Sequence, residues 1–197
     1  AYTDPQQSDA DFQLQGEYVG QATIQDTPTA IGVQVIALGE GKFHGVCYIG
    51  GLPGAGWDGK TKLEHDGETA ASEKGAGVVV FQSAKGSGRL AEGTIEIFNP
   101  SGEPIGKATK TERKSPTLGA KPPAGAVVIF DGSTPDAFKN GRLSPEGWLR
   151  EGSDTIDTFG DCELHLEFRS PYMPTARGQA RGNSGVYILG KEIQVLD

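Results

Sequence analysis

The sequence predicts an all-β protein. A small antiparallel β-barrel or sandwich is expected over residues 1–113, a Pro-rich linker over 114–125, and a second β-domain over 126–197. Three observations carry this. Thirty of the 197 residues are glycine and twelve are proline, a supply of turn formers that suits many short strands. Apolar and polar residues alternate in run after run, the period-two pattern of half-buried strands. No stretch keeps the apolar period of about 3.6 residues that marks an amphipathic helix.

Residues 1–11 (AYTDPQQSDAD) are polar and are expected to be loosely held. Residues 12–20 (FQLQGEYVG) and 32–38 (GVQVIAL) alternate as strands. Gly39-Glu40-Gly41 is hairpin chemistry, with 42–49 (KFHGVCYI) as the return strand. Further strands are expected at 77–82, 90–91, 93–98 and 106–111, and Asn99-Pro100-Ser101-Gly102 reads as a turn. Residues 68–74 (ETAASEK) can form a short helical stretch at most. The linker KSPTLGAKPPAG holds three prolines and little apolar content, so it should be extended and semi-rigid.

Beyond the linker, 126–130 (AVVIF) reads as a buried strand, followed by turns at Asp131-Gly132-Ser133 and Thr134-Pro135-Asp136. Phe138 and Trp148 are expected core anchors, with Trp148 opening a short strand to Arg150. In 162–169, Cys162, Leu164, Leu166 and Phe168 alternate with Glu163, His165, Glu167 and Arg169. In 192–196, Ile193 and Val195 face one way and Glu192, Gln194 and Leu196 the other. If these two strands share a sheet, its polar side collects Glu163, His165, Glu167, Glu192 and Gln194. Such alternation ordinarily marks only a solvated sheet face. The loop between them is what points to a ligand. It interleaves Arg177, Gln179, Arg181 and Asn183 with Gly178, Gly182 and Gly185, giving directional donors on a backbone that can approach a ligand closely.

The formal net charge is −8, which removes the basic footprint nucleic-acid binding needs and permits neutral partners such as sugars. No apolar run approaches the ~20 residues of a membrane helix. Cys47 and Cys162 are the two cysteines; each sits among alternating apolar residues, as buried free thiols would, while one bridge between the halves is the alternative. The chain opens on Ala1 and a polar segment with no signal peptide, as expected of a processed secreted, periplasmic or cell-envelope protein, or of a trimmed chain.

Residues 54–61 (GAGWDGKT) match the phosphate-loop spacing G-x-x-x-x-G-K-T. That chemistry requires a helix whose N-terminal amides hold phosphate. The following KLEHDGETA has no helical apolar stripe, and Asp58 would repel phosphate. The loop instead presents Trp57, either to stack on a sugar ring or to be buried between the two halves. His44 and His65 are isolated. His165 is flanked on its strand face by Glu163 and Glu167, each ~6.6 Å away along the strand. That spacing suits groups around one substrate, or a divalent metal if a neighbouring strand adds ligands.

Phe130-Asp131-Gly132, FGDCELHLEF (159–168), RGNSGVY (181–187) and EIQVLD (192–197) together resemble the 3-keto-disaccharide hydrolase family, a concanavalin-like jelly-roll domain. The resemblance spans 124–197 and departs at the end, because the family's domain continues past this aspartate. It implies the N-terminal portion of a jelly roll acting on a carbohydrate substrate, by cleavage of 3-keto-glycosides. A carbonyl at C3 acidifies the C2 proton; a base removes it, the enolate expels the C1 substituent, and water adds. The candidate bases are Glu192 and His165. Glu167 is the candidate acid or metal ligand. Arg181 or a divalent metal would stabilise the enolate. Asn183 and Gln194 would bind hydroxyls, and Arg177 and Trp57 are further candidate substrate contacts. An ordinary two-carboxylate glycosidase is a chemical variant. The competing class is a non-catalytic glycan-binding or envelope-structural module. About five strands are expected after the linker, whereas a jelly roll uses about eight. A second polypeptide, or a further C-terminal segment, is therefore expected to complete the sandwich, and this piece alone is expected to be inactive.

Overall fold

The computed structural model of the protein describes residues 1–70 and 77–196. It divides into two compact units, one of Ala1–Arg113 with Ser170–Asn183, the other of Lys114–Arg169 with Ser184–Val195. The fold is all-β: among the described residues helix is confined to the short α1 (Asp11–Leu14) and two single 3₁₀ turns. Among the described residues no helix is long and apolar enough to cross a membrane.

The first unit is a closed barrel of eight antiparallel strands: β1 (Gly16–Ile24), β2 (Thr27–Gly39), β3 (Lys42–Ile49), β4 (Lys62–Ala70), β5 (Val78–Ser83), β6 (Gly86–Ala91), β7 (Thr94–Phe98) and β8 (Pro104–Thr111). Each strand pairs with its sequence neighbour, and β8 returns to β1, with Ala108 opposite Gly20. Closure removes the exposed strand edges that an open sheet would present. The seam is tight. At Gly106 of β8 an added Cβ would stand 2.5 Å from the Cα of Ala22, so only glycine lets the ends of the sheet meet.

Strand alternation places one side chain in two inside. Tyr18, Ile31, Val33, Val35, Ala37, Phe43, Val79, Phe81, Leu90 and Ile95 form one buried cluster. Burying each large apolar side chain contributes about 1.5–3 kcal/mol before entropy is charged against it. Arg113 ties the barrel's exit to its entry, with Nε donating to Glu17 Oε2 at 2.6 Å and Nη1 to the Pro53 carbonyl at 2.8 Å.

Two readings of the first half need correction. Residues 12–14 are not strand but belong to α1, where the Asp9 carboxylate accepts the Phe12 amide at 3.2 Å. Phe12 and Leu14 both pack on the core, and their two-residue spacing imitated strand alternation. The strand β4 was missed. Its inward positions hold Leu63, His65 and Gly67, a weak apolar signal, and its Glu68, Thr69 and Ala70 replace the expected helical start. Residues 71–74 of that expectation lie outside the described residues. As read from the sequence, no helix follows the phosphate-loop look-alike, which leads into strand β4 instead. There Asp58 Oδ1 accepts the amides of Lys60 and Thr61 at 2.8 and 3.0 Å, closing a turn.

The second unit holds two ribbons, β9 (Phe138–Lys139) with β10 (Asp154–Thr155), and β11 (Ser184–Ile188) with β12 (Lys191–Val195). No two-sheet jelly roll is assembled among the described residues. The strands expected at 126–130 and 162–168 are not formed, and at 148–150 only a bridge between Leu143 and Leu149 remains. The physical reason is that, among the described residues, no opposite layer packs on them. Val127, Leu166 and Phe168 are 70%, 42% and 64% exposed, and an apolar strand face with nothing to cover it gains little by forming. Trp148, an expected anchor, is exposed, while Phe138 meets Phe130 edge-on at 6.5 Å. Both cysteines are free; Cys47 is half-buried, and Cys162 is exposed rather than buried.

Candidate functional site

The β11–β12 hairpin gathers the polar groups that the sequence singled out near residue 192. Its register pairs Tyr187 with Glu192 and Gly185 with Gln194, so these four positions share one face. The Glu192 carboxylate lies where a Cβ on Gly185 would be, so a larger residue at 185 would turn that side chain aside. With Glu192 folded over Gly185 on the face it shares with Tyr187, hydrogen bonding to the carboxylate, and then its charge, raise the Tyr187 pKa above its ordinary value. Gln194 Nε2 donates to the carbonyls of Ser184 and Val195 at 2.9 and 3.1 Å. The opposite face carries Val186, Ile193 and Val195. Tyr187 was overlooked in the sequence; its signal was the short Leu189-Gly190 turn that sets it opposite Glu192.

His165 and Glu167 form a second polar group in the same unit. His165 Nε2 and Glu167 Oε1 are 3.4 Å apart, and the same oxygen accepts the backbone amide of Gly119. The two side chains thus meet directly, because the segment is not a pleated strand that would hold them farther apart. Among the described residues no three His, Cys, Asp or Glu side chains group closely enough to hold a metal ion.

The arginines stand elsewhere. Ser170–Asn183 packs with the barrel unit, at the end closed by α1. Tyr172 is buried, donates from its hydroxyl to Asp9 Oδ1 at 2.8 Å, and meets Phe12 edge-on at 5.0 Å. Arg181 is 5% exposed and donates to the Ala37 carbonyl at 2.8 Å. Arg177 donates to the carbonyls of Pro174 and Leu38 at 2.6 and 3.0 Å. Both guanidiniums therefore serve the last carbonyls of β2 and fasten this segment across the barrel end. Asn183 is exposed at the segment's close. Trp57 lies on the barrel's outer wall, edge-on to Tyr48 at 4.8 Å, with Nε1 donating to the Thr61 carbonyl at 3.0 Å.

What the hairpin face can do chemically follows from its groups. An exposed carboxylate can take a proton, and a phenol beside it can donate one or stabilise developing negative charge on oxygen. No family model matches the chain, and no curated protein or solved structure matches it.

Proposed function

We propose that this protein acts on 3-keto-glycosides, with Glu192 as the base that removes the C2 proton. The observation that carries this is the Tyr187–Glu192 pair over Gly185, in the segment whose residues resemble the 3-keto-disaccharide hydrolases. Glu192 takes the C2 proton, and the electrons of the C–H bond pass into the C3 carbonyl as an enolate. Reforming the carbonyl expels the C1 oxygen, which takes a proton from an acid, for which Tyr187, His165 and Glu167 are the candidates. Water then adds to C1 and a proton returns to C2. The chain is balanced with no oxidant.

The exposed apolar row of the second unit supports a completing β-layer, contributed by another polypeptide or by further chain. A secreted or cell-envelope setting fits a carbohydrate substrate of this kind. The test, run on the protein together with the chain or partner that completes the layer, is release of a chromogenic aglycone from its 3-keto-glucoside, against the unoxidised glucoside as control. Release from the keto substrate alone is expected. Saturable binding without release would favour the glycan-binding reading, and neither would remove both.

A further inference from the structure

The barrel is filled at one end and hollow at the other. At the end covered by α1, Tyr18, Phe43, Val79 and Leu90 are each no more than 1% exposed. Toward the opposite end the strands enclose a cavity of about 330 Å³ that reaches the turns after β1, β5 and β7. Its wall is formed by Ile24, Ile31, Val33, Ile49, Ile95 and Ile97. Phe81 makes the floor, its ring lying over Gly67 and Gly45. Gly88 leaves one stretch of wall with no side chain.

The chemistry of this lining selects its occupant. A buried water needs about two to four polar partners, which aliphatic walls do not supply. A volume near 330 Å³ falls at the small end of ligand sites, too small for a folded partner. The polar groups stand toward the rim. His65 projects from β4, and Lys85 sits on the turn between β5 and β6. Burial, and next the Lys85 charge, push the His65 pKa below its ordinary value, so Lys85 is the cation that faces the mouth at neutral pH. This cation stands in a chain whose net charge is −8.

We infer that the barrel is a binding site for a single-chain amphiphile with an anionic head, the tail in the Ile-lined cavity and the head at Lys85. The site lies in the first unit and is independent of the glycoside reading. The experiment titrates the full chain with decanoate, decanol and decylammonium by calorimetry, and follows the methyl resonances of Ile31, Ile95 and Ile97. Saturable decanoate binding that shifts those methyls is expected, with decylammonium the weakest of the three. Gly88→Leu fills the cavity, since a Cβ there meets Ile95 and Phe81 at 3.6 and 3.8 Å, ordinary contact distances. It should weaken decanoate at least about tenfold. Lys85→Ala should weaken decanoate about threefold and leave decanol unchanged. No saturable binding up to ~1 mM, or binding that leaves the three methyls unmoved, overturns the site. Equal affinity for all three probes overturns the head-group assignment.

Discussion

Phe81 on β5 lies across Gly67, its paired neighbour on β4, so closely that an added Cβ on Gly67 would stand 2.5 Å from the Phe81 ring. The ring covers backbone that would otherwise be bare, and glycine gives it the room. Gly67→Ala should therefore cost about 1–3 kcal/mol by overpacking, read as a lower urea midpoint at unchanged slope. Shrinking the ring in the Gly67→Ala, Phe81→Leu pair should recover part of the loss. Strictly additive costs would show that the two residues do not share the strain.

A second prediction concerns Arg181, whose buried guanidinium meets the Ala37 carbonyl across 144 residues of sequence. Removing it leaves a buried acceptor unsatisfied and frees the segment around Tyr172. Arg181→Ala should destabilise the barrel unit by about 2 kcal/mol and raise hydrogen exchange at Ala37 and Leu38. Unchanged stability together with lost glycoside turnover would return Arg181 to a substrate-facing role.

The barrel was legible because its strands are half-buried and carry their own signal. Val33, Val35 and Ala37 alternate with polar or outward residues, and Gly39-Glu40-Gly41 forces the turn into β3. Residues 162–168 show the same alternation and form no strand. Periodicity reports which face a segment can bury, but not whether a second layer is present to receive it. Site residues suffered a related ambiguity. Arginines interleaved with glycines suit a ligand loop, yet the same donors cap exposed carbonyls at a strand end, as Arg177 and Arg181 do. Only long-range pairing separates the two uses. The cavity was invisible for the opposite reason. Ile31, Ile95 and Ile97 read simply as core, and a hollow is a property of how strands close, not of any one strand.

Two titrations should govern the stability of the barrel unit. Hydrogen bonds from Arg113, foremost, hold the Glu17 carboxylate below its ordinary value of 4.5. The unfolded chain then binds the proton more readily, so this stability is present above that value and is lost as pH falls below it. His65 is depressed by burial below its ordinary 6.5, so its neutral form is the folded one, and stability is again lost as pH falls beneath that value. Urea midpoints should decline in two stages on acidification. Glu17→Gln should flatten the lower stage and His65→Gln the upper. A midpoint indifferent to both substitutions would remove these two groups from the pH response.

The last prediction rests on the hairpin pair. If Glu192 removes the C2 proton, its carboxylate must be ionised and its direction fixed, and Tyr187, paired opposite it, is the group placed to fix that direction. Glu192→Gln keeps the shape and a hydrogen-bonding oxygen but abolishes the base. It should lower release from a 3-keto-glucoside by at least about a hundredfold with little change in KM. Tyr187→Phe removes the hydroxyl and leaves the base, so it should cost about tenfold if Tyr187 only orients Glu192. A larger loss, close to that of Glu192→Gln, would mean that the phenol itself transfers a proton, and the leaving-group dependence separates the cases. An aglycone of low pKa needs no acid and should restore the rate of Tyr187→Phe if the phenol protonates the leaving oxygen. It should not restore Glu192→Gln, whose lost step precedes departure. Exchange of the C2 proton with deuterated solvent gives an independent readout, because proton removal can be followed without bond cleavage. Wild-type exchange that persists undiminished in Glu192→Gln would exclude Glu192 as the base and direct attention to His165, with Glu167 at 3.4 Å to orient it.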